Sequence, residues 1–330
     1  MDTGQVLAWG RQMLFGKSEY PARDAAVLLS HVLQCSTAGL YLHPDKPVTS
    51  GQFGIYSSLV ARRALKEPIA YITGHKEFMG LKFKVDKRVL IPRPETEVLV
   101  ETSLSIVGRM VHEIRTGPVV VCDVCCGSGA VGLSILKLLP QPSARANQRR
   151  QAEPPGIKVI LTDISPDALD VAKENAKSLG VFPQVEFLLG DGLEPIKQHG
   201  FANKVDLIAS NPPYIPRGVI ASLDEEVRCY EPHLALDGGC RGMDFIETLI
   251  GQAPSVLAPG GFLVMEIGHD QADRCQEIFS ALAQPNHVDS RGGRCASPWH
   301  KWQFVQDYAG RQRVLAARVN PGRPACTRNT

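Results

Sequence analysis

The chain has 330 residues, 44% of them hydrophobic, enough to bury one large core and a smaller one, so one or two domains are expected. Its 36 basic and 34 acidic residues leave a net charge of +2, which argues against a protein held mainly by nucleic-acid phosphates. No apolar run reaches the ~18 residues of a membrane span. The start at Met1 has neither signal nor transit composition, and the nine cysteines lack a secreted framework's spacing, so a cytoplasmic protein is expected.

Residues 1 to about 75 read as helical. Pro21 opens a segment in which Ala25, Leu28, Leu29, Val32 and Leu33 form one apolar stripe. Pro47 and Ser50 bracket the next start, with Phe53, Tyr56 and Val60 on one face and Arg62, Arg63 and Lys66 near the end, where the helix dipole favours cations. This part carries no catalytic constellation and reads as a docking module. Glu67–Gly74 and Glu77–Val85 then read as extended pieces with glycine turns, a hairpin linking two domains. In Ile91-Pro-Arg-Pro-Glu-Thr-Glu97 the prolines flank Arg93, and a helix is expected to start near Thr96.

Val119–Asp123 has the pattern of a buried strand. Cys126-Gly-Ser-Gly-Ala-Val-Gly132 is a glycine-rich turn feeding a helix to Leu139. Residues 141–156 are polar and turn-rich, a surface insertion. The next strand, Lys158–Asp163, ends in an acid, and Ser165 caps a helix with Pro166 in its first turn. Such an acid is placed to take ribose hydroxyls, and without the insertion it stands about 20 residues after the glycine loop, as that geometry expects. Val185–Leu189 runs into Gly190-Asp-Gly192; Val205–Ala209 runs into Ser210-Asn-Pro-Pro-Tyr214; Phe262–Ile267 follows the turn Pro259-Gly-Gly261. Strands ending in polar loops and separated by helices predict an α/β fold, a doubly wound, Rossmann-like parallel sheet. Residues 283–300 read as irregular, Trp302–Val305 and Val314–Ala317 as a terminal antiparallel hairpin, and 321–330 as a disordered tail. The expected divisions are 1–75 helical, 76–92 hairpin linker and 93–320 catalytic.

The Asn211-Pro-Pro-Tyr214 turn is the informative stretch. Prolines cannot continue a central strand, and Asn211, preceding one, is pushed to an extended backbone. The turn therefore offers one amide, bare carbonyls and one ring at the carboxyl edge of the sheet, where ligands bind in such folds. Cys122 and Cys125 form a C-x-x-C, but no second pair follows at a zinc-site interval, so no metal is expected. An NAD-dependent dehydrogenase would explain the glycine loop and Asp163 while leaving the turn unused. A methyl transferase using S-adenosylmethionine explains both. Planar nitrogen is a poor nucleophile. The Asn211 side-chain carbonyl and the Pro212 backbone carbonyl can accept both N–H bonds of an –NH₂ group and favour the pyramidal nitrogen that develops during transfer. Tyr214 can wall the flat group.

Seven motifs together resemble the peptide chain release factor glutamine N5-methyltransferase family: Glu67-Pro-Ile-Ala-Tyr-Ile-Thr-Gly74, Ile91-Pro-Arg-Pro-Glu-Thr-Glu97, Asp123-x-x-x-Gly-Ser-Gly129, Ser210-Asn-Pro-Pro-Tyr-Ile215, Tyr230-Glu-Pro232, Ala235-Leu-Asp-Gly-Gly239 and Gly242-Met-Asp244. The similarity runs from about residue 5 to 275 and resumes at Asp307-x-x-Gly-Arg-x-Arg-Val314. It implies a helical N-terminal domain, a hairpin and a class I methyltransferase domain that methylates the glutamine of a release factor's Gly-Gly-Gln loop. It further implies S-adenosylmethionine contacts from Cys125, Cys126, Gly127, Ser128, Gly129, Asp163, Asp191, Gly192 and Asn211. The glutamine would lie on Asn211, Pro212, Pro213 and Tyr214, of which Asn211, Pro212 and Tyr214 carry the catalysis, with Arg93 and Thr96 shaping the pocket. The implied protein is a monomer with a release factor as partner and without nucleic-acid or membrane partners. A ribosomal-protein glutamine methyltransferase, which differs mainly around Pro92–Thr96, and a nucleic-acid amino methyltransferase are the alternatives. Two positions depart from the family: Cys125 stands for its first loop glycine, and Gly192 for an often bulkier residue beside the adenine.

Overall fold

The computed structural model describes residues 1–111, 117–139, 156–283 and 297–322. The expectations for 141–155, for 284–296 and for the tail from 323 lie outside the described residues. The chain forms two compact units, one of Met1–Lys76 with Val85–Lys87 and Ser222–Glu231, the other of Glu77–Lys84, Arg88–Ala221 and Pro232 onward.

In the first unit, α1 (Thr3–Leu14), α2 (Pro21–Leu33), α3 (Thr37–Leu42), α4 (Ser50–Ala64) and α5 (Ile69–Thr73) pack around Val6, Leu28, Leu29, Tyr56 and Val60. Capping boxes start α1 (Asp2 with Gln5) and α4 (Thr49 with Gln52), satisfying N–H groups the helix cannot. The Tyr56 hydroxyl crosses α1 so closely that a Cβ on Gly10 would lie 1.8 Å from it, and it donates to Ala25 O at 3.2 Å. Glu67–Gly74 was expected to be extended, and here the structure corrects the sequence reading. Pro68 launches a helical turn and Gly74, at φ +77°, ends it. Ile69 and Ile72, three apart, both turn into the helical core, so a 3.6-residue spacing overrides their β-branched preference. Arg63, only 4% exposed, pairs with Asp24 at 2.7 Å and Glu226 at 2.6 Å.

Strands β1 (His75–Phe78) and β2 (Leu81–Lys84) form the expected hairpin, turning at Met79 (φ +52°) and Gly80 (φ +70°), the two left-handed residues of a tight hairpin turn. The second unit continues with α6 (Glu97–Val111), β3 (Val119–Val124), α7 (Ala130–Leu138), β4 (Ile157–Asp163), α8 (Pro166–Ser178), β5 (Val185–Leu189), α9 (Glu194–Gln198) and β6 (Val205–Ser210). After α10 (Glu225–Tyr230), which belongs to the first unit, come α11 (Asp244–Gln252), β7 (Leu257–Glu266), α12 (Ala272–Leu282), β8 (Trp299–Gln306) and β9 (Gln312–Val319).

Apart from β1 and β2, the strands among the described residues form one sheet in the order β5-β4-β3-β6-β7-β9-β8. The first five are parallel, as expected; β9 runs antiparallel to β7, and β8 to β9, so the sheet is mixed. The terminal hairpin thereby covers the β7 edge, whose backbone groups would otherwise stay unpaired. One face, with Val121, Leu161, Ala209 and Val264, packs on Leu99, Leu133 and Leu136. The other, with Ile160, Ile208, Leu263 and Met265, packs on Ile246, Leu249 and Phe279. Among the described residues no helix is long and apolar enough to cross a membrane.

Candidate active site

At the carboxyl end of β3 the chain turns through Cys125 (φ +59°), Gly127 (φ +53°) and Gly129 (φ +76°) into α7. The Cys126 N–H donates to Thr162 O at 3.0 Å and the Gly127 N–H to Asp163 Oδ2 at 2.9 Å, so β4 holds the loop in place. Gly132 lets α7 lie against the sheet: a Cβ there would meet Leu161 Cδ2 at 2.6 Å and Asp123 Cβ at 2.9 Å. The Gly132 N–H donates to Asp123 Oδ2 at 2.8 Å. Burial nevertheless pushes the Asp123 carboxyl up to about 7.

The loop forms one wall of a cavity of about 680 Å3. Cys125, Gly127, Asp163, Asp191, Gly192, Asn211 and Pro213 line it, with Ile164, Phe245 and Leu249 as apolar wall. Asp163 accepts from Gly127 N and, through Oδ1, from Ser165 N at 2.9 Å. A carboxylate has about four acceptor sites, so Asp163 can still take ribose hydroxyls. Burial raises its pKa against these backbone donors. Gly192 leaves room beside Phe245, whose Cζ would be 3.7 Å from a Cβ at that position, so the ring missing at 192 is supplied from α11. Volume, carboxylate acceptors and a flat apolar wall suit a nucleoside with a polar tail.

The Asn-Pro-Pro-Tyr turn follows β6. Ile215 N–H donates to Leu236 O at 3.0 Å, and Gly238 N–H to Ile215 O at 2.9 Å. A Cβ on Gly238 would lie 2.8 Å from Pro213 O, and one on Gly242 2.2 Å from Tyr214 O. The Ala235–Gly239 and Gly242–Asp244 motifs are thus the backbone bed of the turn. Gln271 fastens it, donating from Nε2 to Tyr214 O and Gly242 O, each at 3.0 Å.

Opposite Ser210 in the ladder stands Met265, so the next residues, Asn211 and Glu266, emerge side by side on the α6 face. Asn211 Nδ2 donates to Thr96 Oγ1 at 3.2 Å. The Tyr214 hydroxyl donates to Glu266 Oε1 at 2.9 Å. Glu266 is 1% exposed, and burial raises its pKa against the hydroxyls of Thr96 and Tyr214 and the charge of Arg313. Its buried Oε2 has no hydrogen-bond partner, leaving an acceptor to spare beside the Thr96 hydroxyl. Burial likewise raises Tyr214, and Glu266 adds to the shift.

Of the residues expected at the site, Cys126, Ser128 and Gly129 are buried behind the cavity wall, as is Pro212. Thr96 is buried at the entry to α6 beside Asn211, and Arg93 lies near enough to act on the Tyr214 hydroxyl. Sequence reading missed Phe245, Glu266, Gln271 and Arg313. An acid closing an apolar strand, Phe262-Leu-Val-Met-Glu266, was the one available signal for Glu266.

A family model described as the PrmC N-terminal domain matches residues 5–74, and one described as a methyltransferase domain matches residues 116–308. A release factor glutamine methyltransferase from Moorella thermoacetica is 36% identical, covering 93% of this chain and 94% of the relative. One from Koribacter versatilis is 37% identical over 90% and 91%. One from Geobacter sulfurreducens is 39% identical over 88% and 95%.

Proposed function

Since the chain belongs to the release factor glutamine methyltransferase family and is a methyltransferase that uses S-adenosylmethionine, we propose that it methylates N5 of the glutamine in the Gly-Gly-Gln loop of peptide chain release factors. The observation that carries this reading is Asn211, on the cavity wall with its amino group tied to Thr96, so its carbonyl is left for an incoming N–H. A second acceptor is the Pro212 carbonyl, since the turn sits outside any ladder. Together they take both N–H bonds of the amide, steer its plane and favour pyramidal nitrogen. Tyr214, anchored through its hydroxyl, offers its ring as a wall. No strong base is needed when the proton leaves after methyl arrival, and positioning supplies most of the rate.

The residues fitted to hold the cofactor are Cys125 and Gly127 for the methionine end, Asp163 for the ribose, and Asp191, Gly192 and Phe245 for the adenine. When bound, S-adenosylmethionine supplies an electrophilic methyl on a sulfonium. In the same reading residues 1–75 dock the release factor, 76–92 link, and the chain acts as a cytoplasmic monomer on protein rather than nucleic acid, consistent with its net charge of +2.

The test is labelled cofactor offered with a release factor, a ribosomal protein, DNA and free RNA. Label on the release factor alone is expected. Robust labelling of any other substrate with the release factor unmodified overturns the assignment.

A further inference from the structure

We infer that Glu266 and Thr96 are positioning residues that fix the hydrogen-bond polarity of Asn211, so that its carbonyl and not its amino group meets the substrate amide. The inference rests on the reading that a glutamine nitrogen is the nucleophile.

An ionised carboxylate only accepts hydrogen bonds. Glu266 receives the Tyr214 hydroxyl proton at Oε1, 2.9 Å away, while its buried Oε2 has no partner; in the proposed arrangement this oxygen takes the single proton of the Thr96 hydroxyl. With that proton committed, Thr96 Oγ1 can only accept. Asn211 must therefore turn its NH₂ toward Thr96, at 3.2 Å, and its carbonyl the other way. Reversed, the Asn211 carbonyl would face an oxygen with no proton to give. Its NH₂ would then donate to the lone pair that must attack the methyl. In this arrangement one acid at the end of β7 decides, by way of Thr96, whether Asn211 activates the nucleophile or blocks it.

Burial raises the pKa of this acid, and its neighbours work against that rise. Arg313 on β9 adds positive charge, held by Asp307 Oδ2 at 3.3 Å and Ile267 O at 3.4 Å. Asp307 Oδ1 in turn accepts the Ala309 and Arg311 N–H groups, each at 3.0 Å. The Asp307-x-x-Gly-Arg-x-Arg313 motif is thus a rigid turn that aims a cation at the acid. Glu95, at the entry to α6, opposes it, and Arg93 acts on Tyr214.

The experiment measures kcat and KM of the full chain with a release factor, for wild type, Glu266→Gln, Thr96→Val and Thr96→Ser, and for Glu266→Gln combined with Asn211→Asp, alongside Asn211→Asp alone. The first variant keeps the shape of the acid but gives it protons to donate, and Thr96→Val removes the hydroxyl. Both should lower kcat about tenfold or more while KM moves less than about threefold, and Thr96→Ser, which keeps the hydroxyl, should hold kcat near wild type. The Asn211→Asp variant presents oxygen either way round, so in that background Glu266→Gln should change kcat little. Equal kcat losses from Glu266→Gln in the wild-type and Asn211→Asp backgrounds would mean a merely structural acid and overturn the proposal. So would wild-type kcat in both Glu266→Gln and Thr96→Val. If Glu266→Gln fails to fold, or Asn211→Asp is inactive, the Thr96→Val and Thr96→Ser pair decides. A wild-type chain that methylates no release factor would instead defeat the functional reading itself.

Discussion

Arg63 in the helical unit and Glu266 at the end of β7 are both buried charges, yet their surroundings differ in kind. Arg63 is matched by charge: Asp24 and Glu226 take its guanidinium, and the Glu67 carbonyl accepts a further N–H at 3.1 Å. Ser18 adds a hydroxyl to Asp24 at 2.6 Å. Every group there is committed, so the arrangement can only hold elements together. Glu266 instead accepts one hydroxyl, has a spare acceptor, and sits one side chain from a residue on the cavity wall. A buried charge saturated by countercharges is architecture. One partnered by a rotatable hydroxyl, with an acceptor to spare beside a cavity, is free to set the orientation of others.

The sharpest way to break this contrast is Arg63→Ala. It leaves Asp24, 1% exposed, without its buried cation and with only the exposed Arg23 at 3.4 Å. Breaking such a pair costs about 3–5 kcal/mol, so a large drop in melting temperature is expected. A melting temperature near wild type would show that the pairing is not structural. Asn211→Ala should act the other way, leaving folding intact and lowering kcat by roughly 10²–10³, the scale of losing one preorganised partner. Near-normal kcat in that variant would reduce the Asn-Pro-Pro-Tyr turn to architecture as well.

Asp123 supplies an intermediate case, a buried acid met by one backbone N–H. Burial raises its carboxyl from 3.8 to about 7, so the folded state favours the protonated form. Stability from this group is full below about pH 4 and is lost as pH rises toward 7. The melting temperature of wild type relative to Asp123→Asn should therefore fall across that window and level off above it. A pH-independent difference would mean that Asp123 is ionised throughout. The smallest effect is expected at Cys125, whose left-handed backbone costs about 1–2 kcal/mol for a residue with a Cβ. Glycine relieves that strain but adds freedom to the unfolded chain, so stability should shift by about 1 kcal/mol or less. Calorimetric titration should show S-adenosylmethionine bound somewhat more tightly by Cys125→Gly; weaker binding would mean that the thiol packs on the cofactor.

What was legible in the sequence follows from how local each signal is. The parallel strands, the glycine loop, the Ser165 cap with Pro166 behind it and the proline turn announce themselves within a few residues. So did the terminal hairpin, although its place against β7 depends on an unpaired edge that no local pattern reveals. Ile69–Thr73 misled because a five-residue apolar stretch fits both periods, and only the core it faces selects the helix. Cys125, Asp163, Asp191, Gly192 and Asn211 were readable as residues at strand ends, and all reach the cavity wall. Thr96 was readable as a helix entry but not as the partner of Asn211, 115 residues away. Glu266 gave only the sign of an acid closing a strand and Arg313 none, because their meaning lies in register across β6, β7 and β9; Gln271 was silent because its partners, Tyr214 and Gly242, are brought to it by the fold. Phe245 was silent because α11 brings it to Gly192 from a distant part of the chain.

The most direct measurement is tandem mass spectrometry of a release factor after incubation with the protein and isotope-labelled S-adenosylmethionine. The labelled methyl is expected on the side-chain amide of the glutamine in the Gly-Gly-Gln loop, with wild-type enzyme and not with Asn211→Ala. A label on any other residue, or the same extent and rate of glutamine labelling with Asn211→Ala, would contradict the account.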